Sequence, residues 1–253
     1  MKVELARPRT ALVTGGTGAI GTEICRQLAR RGLHVLALGH PSDIGRLTTW
    51  RETLAADGLK VEALLADLSD AQAAEAAMGQ ARQAMGTIDI LVNAAGITRD
   101  SRFSKMSLDQ WRAVMSTNLD SVFYCCQAVF EKMCAQRHGR IVNIASVNGQ
   151  RGQFGQANYS AAKAGMHGFT MALAQEGAKC GVTVNTVSPG YVRTPMTAAI
   201  KPEVLAGIVA QIPVGRMAEP ADIARVVVFL CEEESSYITG ANIPVNGGLY
   251  MSA

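Results

Sequence analysis

The sequence predicts a single-domain α/β fold, a doubly wound parallel sheet of about seven strands with helices on both faces. Short runs rich in leucine and β-branched residues alternate with longer segments whose apolar residues recur at helical spacing. The short runs are continuously apolar instead of alternating between apolar and polar residues. Strands need that composition when helices cover the sheet on both sides.

The predicted elements alternate along the whole chain. Strands are expected at 10–13, 35–38, 61–65, 88–92, 141–144, 182–187 and 243–245. Segments with helical spacing lie between them, and the clearest of these cover 20–31, 71–85, 108–134 and 157–180. This order is typical of a parallel sheet.

The length of 253 residues permits either one large domain or two small ones. No internal repeat, low-complexity stretch or proline-rich linker interrupts the alternation, so we predict one domain over residues 1–253. The segment 190–213 breaks the pattern, because it is long and carries Pro195, Pro202 and Pro213. Loops of that length are often functional lids, so we expect this insertion to cover a site.

Composition and charge exclude several classes of protein. Hydrophobic residues make up 48% and charged residues 18% of the chain, which excludes a disordered protein. The net charge of +3 is too weak and too evenly spread for a nucleic-acid partner. No apolar run approaches the ~20 residues that span a bilayer, and no signal segment precedes the first strand. We therefore expect a cytoplasmic protein with no membrane partner.

The six cysteines, at positions 25, 125, 126, 134, 180 and 231, form no C-x-x-C pair. No histidine cluster interleaves with them, so the sequence predicts neither a metal site nor a redox dithiol. They are interpreted as small core residues of a protein that stays in a reducing compartment.

A glycine-rich turn follows the first predicted strand and opens the first helix. It reads Thr14-Gly15-Gly16-Thr17-Gly18-Ala19-Ile20-Gly21, which brings several backbone N–H groups to a helix N-terminus. That geometry cradles a pyrophosphate, although a glycine-rich turn on its own can be plain loop chemistry. Ligands of open α/β sheets bind where strands end, so the later strand ends should face the same crevice: Asp67, Asn93, Ser146, Pro189 and Gly190.

Tyr159 and Lys163 stand four residues apart at the start of a predicted helix. Both side chains then share one face, and an ammonium beside a phenol lowers the pKa of the phenol, which makes an acid–base pair. Ser146 ends the fifth strand, where its hydroxyl can donate to a carbonyl oxygen as negative charge develops. Taken singly, Tyr-x-x-x-Lys also describes unrelated surface residues, and a lone serine at a strand end is more often a helix cap.

The ordered set of these motifs resembles the short-chain dehydrogenase/reductase family along essentially the whole chain. Asn118, Ser146, Tyr159 and Lys163 match the catalytic tetrad of that family. The resemblance implies that Ser146 polarises a ketone, Tyr159 protonates its oxygen and Lys163 holds the nicotinamide ribose. It also implies that Asn118 fixes a water, from which the proton is restored through Lys163.

The resemblance further implies a Rossmann-type site for a nicotinamide cofactor. Thr14 to Gly21 is similar to the cofactor turn, and Asp67-Leu68 to the adenine contact. Asn93-Ala94-Ala95-Gly96 resembles the Asn-Asn-Ala-Gly motif with one alanine substituted, which loses one amide. The cofactor-binding residues implied are Gly15, Thr17, Gly18, Ala19, Ile20, Gly21, His40, Ser42, Arg46, Asp67, Leu68, Asn93, Ala94, Gly96, Tyr159, Lys163, Pro189, Gly190, Val192 and Thr194.

Two segments look most like the acetoacetyl-CoA reductases of polyhydroxyalkanoate synthesis within that family. They are 146–156, which ends in Gly152-Gln153-Phe154-Gly155-Gln156, and Gly96-Ile97-Thr98-Arg99-Asp100. The related 3-oxoacyl-ACP reductases share the second segment but usually lack Gly-Gln-Phe-Gly-Gln. The alternative interpretation of that segment is loop packing. The substrate-binding residues implied are Asp100, Lys105, Ser146, Gln153, Phe154, Gln156 and Tyr191.

The end of the second strand predicts the cofactor preference. An NAD-selective enzyme of this fold places an acidic residue there, but this chain reads Leu38-Gly39-His40-Pro41. Ser42 and Arg46 are close enough in sequence to meet a phosphate, so NADP(H) is favoured. Asp43 lies in the same loop and could take the ribose or repel the phosphate, which keeps NAD(H) possible.

The expected reaction is the NAD(P)H-dependent reduction of a short 3-ketoacyl-CoA, namely acetoacetyl-CoA to (R)-3-hydroxybutyryl-CoA. The R configuration and a homotetrameric assembly are implied by the resemblance alone. Three alternatives stay open: a 3-oxoacyl-ACP reductase of fatty-acid synthesis, an oxidoreductase for an unrelated alcohol, and a dinucleotide-sensing protein without turnover.

Overall fold

Seven strands form one sheet, and each is parallel to its neighbours. The computed structural model describes residues 7–198 and 201–251. The strands are β1 (Thr10–Thr14), β2 (His34–Gly39), β3 (Val61–Leu65), β4 (Ile90–Asn93), β5 (Gly139–Ile144), β6 (Val182–Pro189) and β7 (Asn242–Val245). Their order, β3-β2-β1-β4-β5-β6-β7, confirms the predicted doubly wound fold.

Helices connect the strands. They are α1 (Ala19–Arg30), α2 (Leu47–Ala56), α3 (Ala71–Met85), α4 (Leu108–Met115), α5 (Ser121–Ala135), α6 (Val147–Arg151), α7 (Ala157–Ala178), α8 (Pro195–Ala198), α9 (Pro202–Ala210) and α10 (Pro220–Leu230). Short 3₁₀ turns cover Pro41–Arg46, Phe103–Lys105 and Glu233–Ser235. Among the residues that the structure describes, no helix is both long enough and apolar enough to cross a membrane.

Apolar side chains cover both faces of the sheet, because successive strand residues point to opposite sides. Helices α1, α2 and α10 pack on one face, where Ala11 and Val13 of β1 are buried. Helices α3, α5 and α7 pack on the other face, where Leu12 is buried. Burial on both sides explains why the strand sequences are continuously apolar.

The predicted helix over 108–134 is wrong in one respect, since the structure has two helices there. A single π turn, Ser116–Asp120, separates α4 from α5. Such turns insert one extra residue into a helix and are frequent at functional sites. This one carries the fully buried Asn118.

The insertion 190–213 contains α8 and α9, while its residues 199 and 200 lie outside the described residues. Backbone contacts fix both of its ends. Val192 forms a parallel bridge with Ala218, and the N–H of Val214, just beyond the insertion, donates to Gly247 O at 3.1 Å. The insertion is therefore anchored to the segment before α10 and to the loop after β7.

The direction of strand addition reverses at β1, which lies between β2 and β4. Folds of this kind open a crevice there, at the carboxyl ends of the strands. The Thr14 hydroxyl oxygen accepts hydrogen bonds from the N–H groups of Ala94 and Ala95 at 3.1 and 3.2 Å. These bonds fix the loop after β4 to the end of β1. The two segments that border the crevice are therefore held together.

Candidate active site

The glycine turn after β1 has the shape and the free donors that a pyrophosphate needs. Gly15 has a left-handed φ of 62°, and a Cβ there would lie 2.7 Å from Ala94 O. A Cβ at Gly21 would collide with Gly15 O, so α1 packs directly on the turn. Gly18 begins α1 without a side-chain cap, and no acidic side chain lies in the first helical turn. The first N–H groups of α1 therefore remain available to an anion.

A cleft of about 600 Å³ lies at the carboxyl ends of the central strands. That volume is in the range of small-molecule sites. Ten of the predicted cofactor residues line it: Gly15, Thr17, Gly18, His40, Ser42, Arg46, Asp67, Leu68, Ala94 and Gly96. The structure thus brings together residues that lie as far apart as positions 15 and 96 in the sequence.

Asp67 presents an oriented carboxylate at the wall of this cleft. One of its oxygens accepts hydrogen bonds from the N–H and the hydroxyl of Ser69 at 2.9 and 2.7 Å. These two bonds hold the pKa of Asp67 below its ordinary value. His40 Nε2 lies 3.9 Å from the other oxygen. Asp67 is therefore ionised at neutral pH, where it can accept a hydrogen bond from a ligand.

Three other predicted cofactor residues point their side chains away from the cleft. Asn93 is 2% exposed, and its Nδ2 donates to Asn143 Oδ1 at 2.8 Å inside the protein. The prediction that the Asn93 side chain faces the crevice is therefore wrong. Val192 is buried in the apolar core, and the half-buried Ile20 packs against that core. Asn93 and Val192 can therefore contact a ligand only through their backbones.

Ser146, Tyr159 and Lys163 meet at the carboxyl end of β5. The Ser146 hydroxyl is hydrogen-bonded to Tyr159 and also accepts from Asn148 N at 3.1 Å, which caps α6. Lys163 Nζ donates to Ile144 O at 2.7 Å and lies 5.7 Å from the centre of the Tyr159 ring. The serine is thus both a helix cap and a neighbour of the phenol.

Burial sets the pKa values of Tyr159 and Lys163. It lowers the pKa of Lys163 to about 7, because a buried ammonium loses its hydration. Burial also raises the pKa of Tyr159, and the hydrogen bond with Ser146 offsets part of that rise. The expectation that Lys163 lowers the Tyr159 pKa is therefore wrong for the protein without a ligand. Tyr159 stays protonated at neutral pH, as a proton donor must.

Asn118 is held by both polar atoms of its side chain. Its Nδ2 donates to Ile97 O, and its Oδ1 accepts from Ile97 N, each at 2.9 Å. A Cβ at Gly96 would lie 2.5 Å from Asn118 Oδ1 and 3.4 Å from Lys163 Nζ. Asn118 and Lys163 therefore approach each other across Gly96, and the Asn118 side chain fixes the loop that separates them.

The two segments predicted to bind substrate lie side by side. Ser101 N donates to Gly155 O at 2.9 Å, and Gln156 Nε2 donates to Asp100 Oδ2 at 2.9 Å. Gln156 Oε1 accepts from Asn148 Nδ2, also at 2.9 Å. These bonds connect both segments to α6, which Ser146 caps.

The remaining predicted substrate residues lie around this pair of segments. Phe154 is 80% exposed, and the Arg102 guanidinium lies 5.9 Å from the centre of its ring. Gln153 and Lys105 are exposed as well. Tyr191 is half-buried at the start of the insertion. An exposed aromatic ring beside amide and cationic groups suits an amphiphilic ligand.

The segment after β6 is packed tightly against the loop that follows β7. Gly190 N donates to Val245 O at 2.9 Å, and a Cβ at Gly190 would lie 2.8 Å from Asn246 Cα. Thr194 N donates to Thr197 Oγ1 at 3.0 Å. Pro189, Gly190 and Thr194 thus have fixed backbones near the strand ends.

Asn158 is a site residue that sequence reasoning missed. It is fully buried, and its Nδ2 donates to Arg99 O and Gln110 O, both at 3.1 Å. Its Oδ1 accepts from Tyr159 N at 2.8 Å. Asn158 therefore joins the first turn of α7 to the 99–105 side of the site. Its position next to Tyr159 was the one sequence signal available.

The fold and this site define a class of protein. A parallel sheet with an open glycine turn at its switch point is a dinucleotide-binding arrangement, and a buried Ser–Tyr–Lys group beside it is equipped for proton transfer to a carbonyl. Across residues 7–198 and 201–251, no group of three or more His, Cys, Asp or Glu side chains is placed to hold a metal ion. The chain is an oxidoreductase with a nicotinamide dinucleotide site.

Comparison with known proteins shows the family. The short chain dehydrogenase family model matches residues 9–205, and the chain belongs to that family. It is 55% identical to the acetoacetyl-CoA reductase of Allochromatium vinosum, over 96% of this chain and 99% of that protein. It is 50% identical to the acetoacetyl-CoA reductase of Cupriavidus necator, over 96% and 98% of the two chains. The 3-oxoacyl-(acyl-carrier-protein) reductase of Escherichia coli is 43% identical, again over 96% and 98%.

Proposed function

We propose that this protein reduces the ketone of acetoacetyl-CoA to (R)-3-hydroxybutyryl-CoA. The observation that carries the proposal is the proximity of Ser146, Tyr159 and Lys163 to the paired segments 96–100 and 146–156. The relatives named acetoacetyl-CoA reductase, at 50–55% identity over nearly the whole chain, support the same substrate.

The roles of the catalytic residues follow from their protonation and position. A bound nicotinamide dinucleotide supplies the hydride that reduces the ketone carbon. Tyr159, kept protonated by burial, donates its proton to the ketone oxygen. The Ser146 hydroxyl hydrogen-bonds to the same oxygen and stabilises the negative charge that develops there.

Lys163 restores the proton to Tyr159. Its pKa of about 7 places it near its titration midpoint at neutral pH, so it both accepts and releases a proton easily. Asn118 holds the loop at Gly96 beside Lys163. We assign Asn118 to positioning the water that resupplies Lys163.

The acyl chain is proposed to bind between the two paired segments. Phe154 provides an apolar wall, and Gln153 and Gln156 offer amides to the thioester. Gln156 is already oriented by Asp100 and Asn148. We further propose that the insertion 190–213, with Tyr191 at its start, covers the bound thioester.

NADPH is the proposed cofactor, and NADH is the alternative. The cleft wall after β2 exposes His40, Ser42 and Arg46, all of which can hydrogen-bond to a 2′-phosphate. Asp43, the one acidic residue of that turn, has both carboxylate oxygens engaged by protein groups. Its charge is therefore largely compensated before any ligand arrives.

A homotetramer is the proposed assembly. The surface of α5 and α7 has an apolar groove of about 460 Å³ lined by Leu119, Phe123, Tyr124 and Phe169. The Phe123 side chain is 47% exposed. Exposed apolar surface of this kind often marks a protein–protein interface. A second copy of this chain is the proposed occupant, and light scattering with Phe123→Glu tests it through loss of mass. The cytoplasm is the proposed compartment, because the six cysteines are unpaired and lie buried or half-buried in the structure.

Two other functions compete with this proposal. A 3-oxoacyl-ACP reductase is favoured by the relative of that name at 43% identity. A dinucleotide sensor without turnover would not need Ser146, Tyr159 and Lys163 grouped at one strand end, so their proximity argues against it.

A steady-state assay tests the proposed reaction. Purified protein is mixed with acetoacetyl-CoA and either NADPH or NADH, and the 3-hydroxybutyryl-CoA formed is resolved by chiral chromatography. The proposal expects the R product and a higher kcat/KM with NADPH. Bound cofactor without any oxidation by a 3-ketoacyl thioester would support the sensor instead.

A further inference from the structure

Asp43 joins the glycine turn to the loop after β2. Its Oδ2 accepts the Thr17 hydroxyl at 2.5 Å and the His40 N–H at 3.3 Å. Its Oδ1 accepts Arg46 Nε at 3.0 Å and Arg46 Nη2 at 2.7 Å. One carboxylate therefore ties together three groups from two loops that both line the cofactor cleft.

The two side chains of the Asp43–Arg46 ion pair differ in their exposure to solvent. The Asp43 side chain is 13% exposed, whereas the Arg46 side chain is 58% exposed. Burial alone would raise the pKa of Asp43, but hydrogen bonds from Thr17 and Arg46 hold it below its ordinary value. Asp43 is thus an ionised group beneath the loop, and the guanidinium is the part that faces solvent.

The pair leaves Arg46 able to bind a second anion. A guanidinium has five N–H donors, and Asp43 occupies Nε and one donor of Nη2. No residue within 7–198 or 201–251 accepts a hydrogen bond from the two donors of Nη1 or from the second donor of Nη2. A long cation that is already ordered loses less conformational entropy when a phosphate binds to it.

The other charged and titratable groups that line the cleft are His40, Asp67 and Arg99. His40 Nδ1 is hydrogen-bonded to Ser42 Oγ at 2.8 Å, and Asp67 lies 3.9 Å from His40 Nε2. Asp67 is engaged by Ser69. Arg46 is therefore the permanent cation of the loop after β2, whereas Arg99 belongs to the loop after β4.

We propose that Asp43 is a positioning residue for cofactor selection, which orders Arg46 and Thr17 so that the cleft accepts an adenosine 2′-phosphate. This assignment reverses the expectation that an acid in this loop repels the phosphate. It rests on the NADPH preference proposed above. Asp43 acts through Arg46 and need not touch the cofactor.

Equilibrium binding of cofactor fragments tests the assignment without turnover. Calorimetry measures the Kd of adenosine 2′,5′-bisphosphate and of 5′-AMP, which differ only by the 2′-phosphate, for wild type, Asp43→Ala, Asp43→Asn and Arg46→Ala. We expect Asp43→Ala to weaken the bisphosphate roughly tenfold and 5′-AMP by less than about twofold, the size expected for a hydrogen bond to a charged group. Asp43→Asn, whose amide oxygen can still accept from Thr17, should show a smaller loss. Asp109→Asn on the exposed surface of α4 is the charge-matched control.

The outcomes separate this inference from the proposed cofactor preference. A wild type that binds both fragments equally contradicts the NADPH preference and, with it, the role of Asp43. A wild type that prefers the bisphosphate, together with unchanged or tighter binding by both Asp43 variants, overturns the role of Asp43 alone. Removing Asp43 in an Arg46→Ala background should weaken the bisphosphate less than it does in wild type, because only the Thr17 contact is then lost. An undiminished effect would also overturn the role of Asp43.

Discussion

Lys163 Nζ lies 5.7 Å from the centre of the Tyr159 ring, one helical turn along α7. The same nitrogen donates to Ile144 O at the end of β5. Burial keeps Tyr159 protonated and brings the Lys163 pKa to about 7. At neutral pH Tyr159 therefore carries its proton, and about half of the Lys163 side chains are protonated.

Tyr159→Phe should lower kcat by about 10²–10⁴-fold, because it removes the proton donor while the ring still packs. The Kd of NADPH, measured by fluorescence, should stay within about twofold of wild type. The fully exposed Tyr237 provides the control variant Tyr237→Phe. More than a tenth of wild-type turnover in Tyr159→Phe at neutral pH would remove Tyr159 from its assigned role.

Lys163→Met should change how stability depends on pH. The Lys163 pKa is about 7 in the folded protein and 10.5 in an unfolded chain. Between these values the unfolded state binds the extra proton, so the free energy of unfolding rises with pH, and the cost of burying the charge persists below pH 7. Lys163→Met removes this contribution.

Urea unfolding of both proteins between pH 7.5 and 9 measures the effect. The free energy of unfolding of wild type should rise relative to that of Lys163→Met by about 1.4 kcal/mol per pH unit at most. Parallel curves for the two proteins would show that Lys163 stays protonated inside the fold.

Gly21→Ala should disrupt the cofactor turn, since the added Cβ collides with the backbone oxygen of Gly15. We expect a loss of roughly 1–3 kcal/mol in unfolding free energy and a weaker Kd for NADPH. Gly79→Ala is the matched control, because its Cβ would meet only the far end of Arg82 at 4.0 Å. Gly79→Ala should stabilise the protein by up to about 1 kcal/mol. Equal effects of the two variants would contradict the close packing of α1 on the turn.

Gln153→Ala and Phe154→Ala should each raise KM for acetoacetyl-CoA and leave the Kd of NADPH unchanged. Lost amide or aromatic contacts cost roughly 1–3 kcal/mol, which is about 5- to 150-fold in KM. Gln72→Ala, an exposed change on α3, serves as the control. Wild-type KM values in both variants would place the acyl chain elsewhere.

Much of the fold could be predicted from the sequence, because the spacing of apolar residues reflects which side of a strand or helix is buried. Strand β3 and helix α3 begin and end at the predicted residues. The π turn at Ser116–Asp120 was not readable, since one extra residue in a turn barely alters the apolar pattern of the flanking helices.

In the site, residues close together in the sequence were predictable, whereas contacts between distant residues were not. Tyr159 and Lys163 were predictable because four-residue spacing on a helix fixes their neighbourhood. The direction of Asn93 was not predictable, since its partner Asn143 lies 50 residues away on a neighbouring strand. The pKa values also depended on burial, which no local pattern gives.

The choice of acyl carrier tests the account most directly. The measurement is kcat/KM for acetoacetyl-CoA and for acetoacetyl-ACP, with the same protein at saturating NADPH. If segments 96–100 and 146–156 bind a coenzyme A thioester as proposed, kcat/KM will be higher for acetoacetyl-CoA. A higher value for acetoacetyl-ACP, or no oxidation of NADPH with either thioester, would contradict the proposed function.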